Sequence, residues 1–228
     1  MKLKETAFQR LYNRLLSISK FNLIRFRKII ELSKDRKLLP YFREIIYFNR
    51  KVLIINQNLA DATDKKDFLL KKKIQFIEIN PEILAARNYK FASKIRQIKA
   101  DYYLKQGWRG HAIARGNEIV GDNWYCPYNQ QIAKHPDVSA LGIKMAEGHV
   151  YSFDTYLIPP ERGNNVAPSF LSTAMYSLHQ NGYTTAWAYV NSDNIAAIWN
   201  MKVVNKWRVF TTLKVSRFIH PKRFVTKG

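Results

Sequence analysis

The sequence predicts a mixed α/β domain, a mostly antiparallel central sheet flanked by helices, behind a basic helical segment at the N-terminus. Three observations carry that expectation. Period-2 alternation recurs in "KIQFIEI", "HVYSFDTYLI" and "WRVFTTLKVSRF", a spacing that gives a strand one apolar face. Between these runs lie stretches with apolar residues three and four apart, the helical period. And one strand-to-helix junction, "YLIPPERGNNVAPSF", holds more turn-forming residues than a simple connection needs.

The elements follow in order. Residues 3–38 read as basic amphipathic helix, with Phe8, Leu11, Leu15 and Ile18 on one face and Arg10 and Arg14 turned away. "KVLIINQNL" (51–59) is a short strand, and "DATDKKD" is a polar connector. That places a basic appendage at 1–60 and the main domain at 61–228. Residues 73–79 alternate as a strand. Residues 80–107 read as one helix, with Asn80 as N-cap and Pro81 at its first position. Residues 108–126 form a hairpin about Gly116-Asn117, and 127–148 a loop or a loop with a helical turn. The strand at 149–158 enters the junction. A helix follows from Val166 to its stop at Gly182, then a strand at 183–190, a short helix at 194–204 and a final strand or hairpin at 207–218.

The net charge is +21, and it is unevenly spread. Residues 1–51 hold 14 Lys and Arg against 4 acidic residues, and residues 191–228 hold 8 against 1, whereas 109–190 are near neutral with 5 against 6. The excess at the two ends must face an anion: a membrane surface, an acidic protein or an anionic substrate. Nucleic acid is disfavoured, because no RNA- or DNA-binding motif is present and the basic residues lie on apolar-faced helices. The single cysteine, Cys126, excludes an internal disulfide and a cysteine-rich metal site. His111, His135, His149, His179 and His220 show no metal-ligand spacing, so no metal is expected. With no apolar leader or span, the expected location is cytoplasmic, with peripheral membrane contact through residues 1–40 left open.

At the junction, a helix start presents unsatisfied N–H groups at its positive end, which suits an anion. Close approach of a phosphate needs small residues and positive φ, where glycine and then asparagine are at ease. Arg162, Gly163, Asn164, Asn165, Val166 and Ala167 meet that need, and the same residues also make an ordinary turn.

Element order and two motifs give this chain a family likeness. "LIPPERGNNVA" and "VNSDNIAAIWNMKVVNKW" resemble the motifs of the GCN5-related N-acetyltransferases over roughly residues 73–218. Asn165 and Asn205 stand where that family has glycine. The resemblance implies transfer of an acetyl or other acyl group from acyl-CoA, typically acetyl-CoA, to an amine by direct attack. It also implies that backbone groups near Leu157 and Ile158 pair with the pantetheine arm. The amides of Asn164 to Ala167 would hold the pyrophosphate with Arg162 and Gly163, and Asn194 would lie beside the cofactor. The family's tyrosine acid falls on Met201, leaving Tyr189 as the substitute. Strand parity places Tyr151 and Thr155 toward the acceptor. Asp154 is either a general base or a residue paired within the fold. An acyl carrier protein donor and a non-catalytic binding module of the same fold are the alternatives. The basic ends point to an anionic or lipid-linked amine acceptor.

Overall fold

The computed structural model describes residues 47–129, 135–218 and 224–227. The chain divides into two compact units, and the elements that follow belong to the one made of Asn49–Ser216 and Lys222–Gly228. The helices expected before residue 47 and the basic surface expected of residues 1–40 lie outside the described residues.

The strands are β1 (Tyr47–Asn58), β2 (Gln75–Ile79), β3 (Lys90–Phe91), β4 (Arg109–Arg115), β5 (Glu118–Pro127), β6 (His149–Leu157), β7 (Thr185–Asn191), β8 (Arg208–Phe218) and β9 (Phe224–Lys227). The helices are α1 (Lys66–Lys71), α2 (Pro81–Ala86), α3 (Lys94–Lys105), α4 (Pro136–Ala140), α5 (Val166–Gln180) and α6 (Ile195–Ile198). One sheet runs in the order β2-β4-β5-β6-β7-β1-β8-β9, with β3 added beside β5. Its resolved pairings are antiparallel except β3 with β5 and β6 with β7, which are parallel. The expected mixed, mostly antiparallel sheet is present.

Two helical layers cover the sheet. On one face α5 buries Leu171, Ala174, Met175 and Leu178 against Tyr125, Val150, Ala186, Ala188 and Val190, while Phe170 joins Leu69 of α1, Ile113 and Leu157. Each large apolar side chain so buried contributes about 1.5–3 kcal/mol. His111 lies in this layer, fully buried between Phe76 (5.3 Å) and Tyr125 (5.2 Å), with neither ring nitrogen bonded. Burial pushes its pKa down to about 4, so it packs as a neutral aromatic. On the other face α3 brings Tyr103 to within 5.0 Å of Trp124 and 5.2 Å of Phe153.

Two expectations change. The strand at 51–59 runs from Tyr47 and is an interior strand of the sheet, paired with β7 from Val52↔Asn191 to Asn58↔Thr185. Its apolar alternation is satisfied by the sheet itself. The single helix at 80–107 is broken in two by Asn88 at φ 50 and by Lys90-Phe91, which pair with Glu118-Ile119. Asparagine tolerates the left-handed region that ends α2. The helical turn allowed for in the loop at 127–148 is α4, begun by Pro136 after His135, whose side chain accepts the Asp137 N–H.

Arg96 ties α3 to the sheet. Its Nε donates to Asp122 Oδ1 (3.0 Å), its Nη2 to Asp122 Oδ2, and its Nη1 to Asp154 Oδ2 (2.9 Å). Nη2 also donates to the Asp154 carbonyl (3.1 Å). Lys99 Nζ (3.0 Å) and Tyr103 Oη (2.7 Å) complete the ring around Asp154, and Trp124 Nε1 donates to Asp122 (2.7 Å). Against the cost of burial, Lys99 and Arg96 hold the Asp154 carboxyl below its ordinary value. Removing the guanidinium leaves two buried carboxylates without their shared partner, so Arg96→Met is expected to lower unfolding free energy by about 3–5 kcal/mol in urea titrations. A loss under about 1 kcal/mol would show that water or Lys99 substitutes for it.

Candidate functional site

β6 is irregular at Asp154. Its pairing with β5 shifts between Trp124↔Phe153 and Asp122↔Tyr156, and Asp154 sits at φ 49. This bulge re-aims the strand. Asn123 Nδ2 bonds both Ser152 Oγ (3.0 Å) and Thr155 Oγ1 (2.7 Å), so those two share a face. Asp154 and Tyr156 instead meet Arg96, whose guanidinium lies 4.9 Å from the Tyr156 ring. The parity expected from simple alternation, with Thr155 beside Tyr151, is therefore corrected: the extra residue at the bulge turns Thr155 to the α5 face.

The bulge coincides with a parting of strands. The parallel pairing of β6 with β7 stops at Tyr151↔Trp187, although β6 continues to Leu157 and β7 to Asn191. Beyond that point β6 stays with β5 through Gly121↔Leu157, and β7 stays with β1 through Val52↔Asn191. A wedge opens between them. Ile158 N–H bonds the Val120 carbonyl (2.9 Å), which makes Gly121↔Leu157 a non-hydrogen-bonded pair and turns the Leu157 N–H and C=O toward the wedge. The carbonyl accepts from Arg162 Nε (3.0 Å), so it is the Leu157 N–H that is offered there. The Ile158 amide is not, because β5 takes it.

The junction closes the wide end of the wedge. Pro159–Glu161 make a 3-10 turn, and Arg115 of β4 holds Glu161 with two hydrogen bonds. Gly163, Asn164 and Asn165 follow with φ of 99°, 47° and 59°, three consecutive left-handed residues whose amides turn to one side. Val166 N–H bonds Gly163 O (3.0 Å), while the amides of Gly163, Asn164, Asn165 and Ala167 have no partner among the described residues. Asn165 is the N-cap of α5, yet its side chain makes no cap hydrogen bond. A left-handed cap residue cannot fold its side chain over the first turn, so those amides stay open. Pro168 has no N–H to satisfy. Arg162 is exposed, gives Nε to the Leu157 carbonyl (3.0 Å) and lies 5.8 Å from the Tyr156 ring, with its two Nη groups unbonded among the described residues.

The other candidates separate clearly. Asn194 caps α6, its Oδ1 accepting the Ala197 N–H (3.2 Å). Asn205 is right-handed (φ −98), and Lys206 carries the positive φ of 56. Asn205 is instead a buried tie, donating to Asn200 Oδ1 (2.8 Å) and the Pro168 carbonyl (3.4 Å) and accepting from Gln57 of β1 (2.8 Å). Met201 lies in a π-helical turn, Trp199–Val204, and packs on the α5 core. Tyr151 is fully buried, its hydroxyl donating to Asp137 (3.3 Å), and Asp154 is neutralised by Arg96 and Lys99. Neither has the setting of a general base. Tyr189 is half-buried two residues past the last β6–β7 pair, on the Trp187 side of the sheet. The structure thus places Tyr189 at the wedge and leaves Tyr151 and Asp154 in the packing beside it. Asn191, at the open end of the same strand, has its Oδ1 buried without a partner. Sequence reasoning missed it, since a strand-terminal asparagine carries no signal until the strands part.

No family model and no curated protein sequence matches this chain. Solved structures do. The GCN5-related glucosamine N-acetyltransferase region of a fungal multi-domain β-N-acetylglucosaminidase superposes with a TM-score of 0.51 at 16% identity, covering 81% of this chain and 23% of that one. The fold is that of the GCN5-related N-acetyltransferases. A protein of this fold from Sphaerobacter thermophilus aligns at TM-score 0.48 and 12% identity, over 80% of this chain and 56% of its own. This chain therefore spans about a quarter to a half of those neighbours' lengths. The β6–β7 wedge, with the left-handed turn at its mouth, is where the resemblance puts the acyl-CoA. The orphaned Asn191 Oδ1, the Leu157 N–H and the open amides of Gly163, Asn164, Asn165 and Ala167 fit an amide-bearing arm that ends in a pyrophosphate.

The turn holds Asn165 at φ 59. Asn165→Val is expected to weaken acetyl-CoA binding by about tenfold or more, since a β-branched residue resists that region by roughly 1–2 kcal/mol, while Asn165→Gly binds as wild type. Calorimetry on both variants checks this. Unchanged binding by the valine variant would remove Asn165 from the cradle.

Proposed function

We propose that this protein is an N-acyltransferase that moves an acetyl group, or another acyl group, from acyl-CoA to an amine within a ternary complex. The observation that carries the reading is the wedge itself: two strands that part at a bulge, with an amide-lined left-handed turn at the wide end. The Leu157 N–H serves the pantetheine arm. The amides of Gly163, Asn164, Asn165 and Ala167 and the Nη groups of Arg162 hold the pyrophosphate, where helix-terminal charge is favourable. Asn194 fixes the start of α6 on the far side.

Bound in this way, acyl-CoA supplies an activated thioester carbonyl. The chain then positions a neutral amine against it, and orientation provides most of the rate. The C–N bond forms, the C–S bond breaks, and the proton lost by nitrogen ends on the thiolate sulfur. Tyr189, at the apex of the wedge, donates a proton to the leaving sulfur and is restored by the amine's proton. Asp154 takes no part in this transfer. It holds the bulge open, and its two cationic partners keep it ionised. Cys126 is buried, and burial pushes its thiol up, so no acyl-enzyme step is assigned to it.

The test is acyl transfer from acetyl-CoA to a panel of amines, read by mass spectrometry and thiol release. Wild type is expected to acetylate at least one amine. Tyr189→Phe should lower kcat by about 10²-fold with unchanged acetyl-CoA affinity. Transfer only from acyl carrier protein, or equal kcat in Tyr189→Phe, would overturn the donor or the acid respectively.

A further inference from the structure

The sheet face that carries Tyr189 continues past the wedge into a second feature. Antiparallel pairing puts Asn56 opposite Trp187 and Asn58 opposite Thr185, so all four side chains share the Tyr189 face. Phe210 of β8 meets Trp187 edge-on at 5.2 Å, which brings Phe210, and with it Arg208 two residues earlier, to the same face. At the closed end of β7 these strands leave a cleft of about 300 Å³ lined by Asn56, Asn58, Thr184, Thr185 and Arg208.

The chemistry of this lining is one-sided. No acidic residue is in it. Thr184 Oγ1 is bonded to the Gly148 carbonyl and Asn58 Oδ1 to the Ala60 N–H. The Asn56 amide, the Asn58 Nδ2, the Thr185 hydroxyl and the Arg208 guanidinium have no hydrogen-bond partner among the described residues. Beside them stand Phe210, a 66% exposed aromatic, and Trp187, fixed by its N–H to His149 Nδ1 (3.1 Å). A guanidinium fork, neutral hydroxyl and amide groups and an exposed ring together match a phosphate carried on a hydroxyl-rich ring. Extended strand rises ~3.3 Å per residue, so Asn56 and Thr185 lie roughly 7 to 13 Å along the sheet from Tyr189. A phosphorylated amino sugar covers that span.

We propose that the cleft binds the far end of the acceptor, a phosphate on a polyhydroxylated ring, while the acceptor's amine reaches the wedge beside Tyr189. The second half of this statement rests on the transferase reading; the first half does not. Arg208 takes the phosphate in a fork, Asn56 and Thr185 read ring hydroxyls, and Phe210 walls the path between cleft and wedge. The unbonded side-chain groups of β1, which lies beside β7, and of β8 beyond it acquire a function on this assignment.

The experiment is calorimetric titration of the full chain with glucosamine 6-phosphate, glucose 6-phosphate, glucosamine and inorganic phosphate, with acetyl-CoA titrated into the same preparations. Wild type is expected to bind both phosphosugars about tenfold more tightly than glucosamine or inorganic phosphate. Arg208→Ala should lose that tenfold preference, as a charge-assisted fork is worth about that much. Asn56→Asp, which places a carboxylate in the cleft, should lose it as well, and acetyl-CoA affinity should stay within about twofold in both. Absence of phosphosugar binding, or binding equal in wild type and both variants, overturns the cleft. Phosphosugar binding without acetyl-CoA binding supports the cleft and refutes the transferase reading.

Discussion

The Arg96 guanidinium is the interaction on which the rest of this fold depends. It is a residue of α3, yet its partners are Asp122 on β5 and both the side chain and the backbone carbonyl of Asp154 on β6. Asp154 has a positive φ, a conformation that costs a non-glycine residue roughly 1–2 kcal/mol. The cost is met locally, because the bulged carbonyl and carboxylate are exactly where a planar fork can reach both. Without that clamp, β6 would regain simple alternation with β5, Thr155 and Tyr156 would exchange faces, and the strand would have less reason to part from β7. A buried charged ring here does more than stabilise. It selects the bulged register over the regular one.

From the bulge the geometry propagates. β6 follows β5 while β7 follows β1, so the gap between them is a consequence of which neighbour each strand keeps. The gap ends at a turn held to β4 through Arg115 and Glu161. Its three left-handed residues have open amides, as does Ala167 in the first turn of α5. Asparagine at 164 and 165 accomplishes what glycine does elsewhere, with less conformational freedom to lose on folding. Asn205 then binds the π-helical turn to Pro168 and to Gln57 of β1, so the start of α5 is braced from two directions.

Much of this was legible in the residues. Alternation and helical period located most of the strands and helices, because each of those elements has one wet face and one dry face. The junction was legible as a left-handed turn before a helix, although Gly-Asn-Asn also serves ordinary turns. What escaped was whatever depends on a partner distant in sequence. The bulge at Asp154 is invisible until Arg96, 58 positions earlier, is seen to hold it. The break at Asn88 depends on pairing with Glu118 and Ile119, and the interior place of β1 depends on β7. Asn56 and Arg208 carry no signal in the sequence, and only the order of strands sets them in one cleft. Tyr189 entered as the strand-end tyrosine nearest the helix in which Met201 stands for the family's acid.

The most direct measurement is calorimetric titration of acetyl-CoA into the pure protein at moderate salt, with adenosine 3′,5′-bisphosphate as the charge control. The control shares the phosphates but lacks the pantetheine arm that a parted pair of strands would hold. Saturable binding of acetyl-CoA, much tighter than the control, is the result expected of a wedge that pairs with that arm. Binding equal to the control would mean that only the basic surface had been measured, and it would contradict the cofactor site.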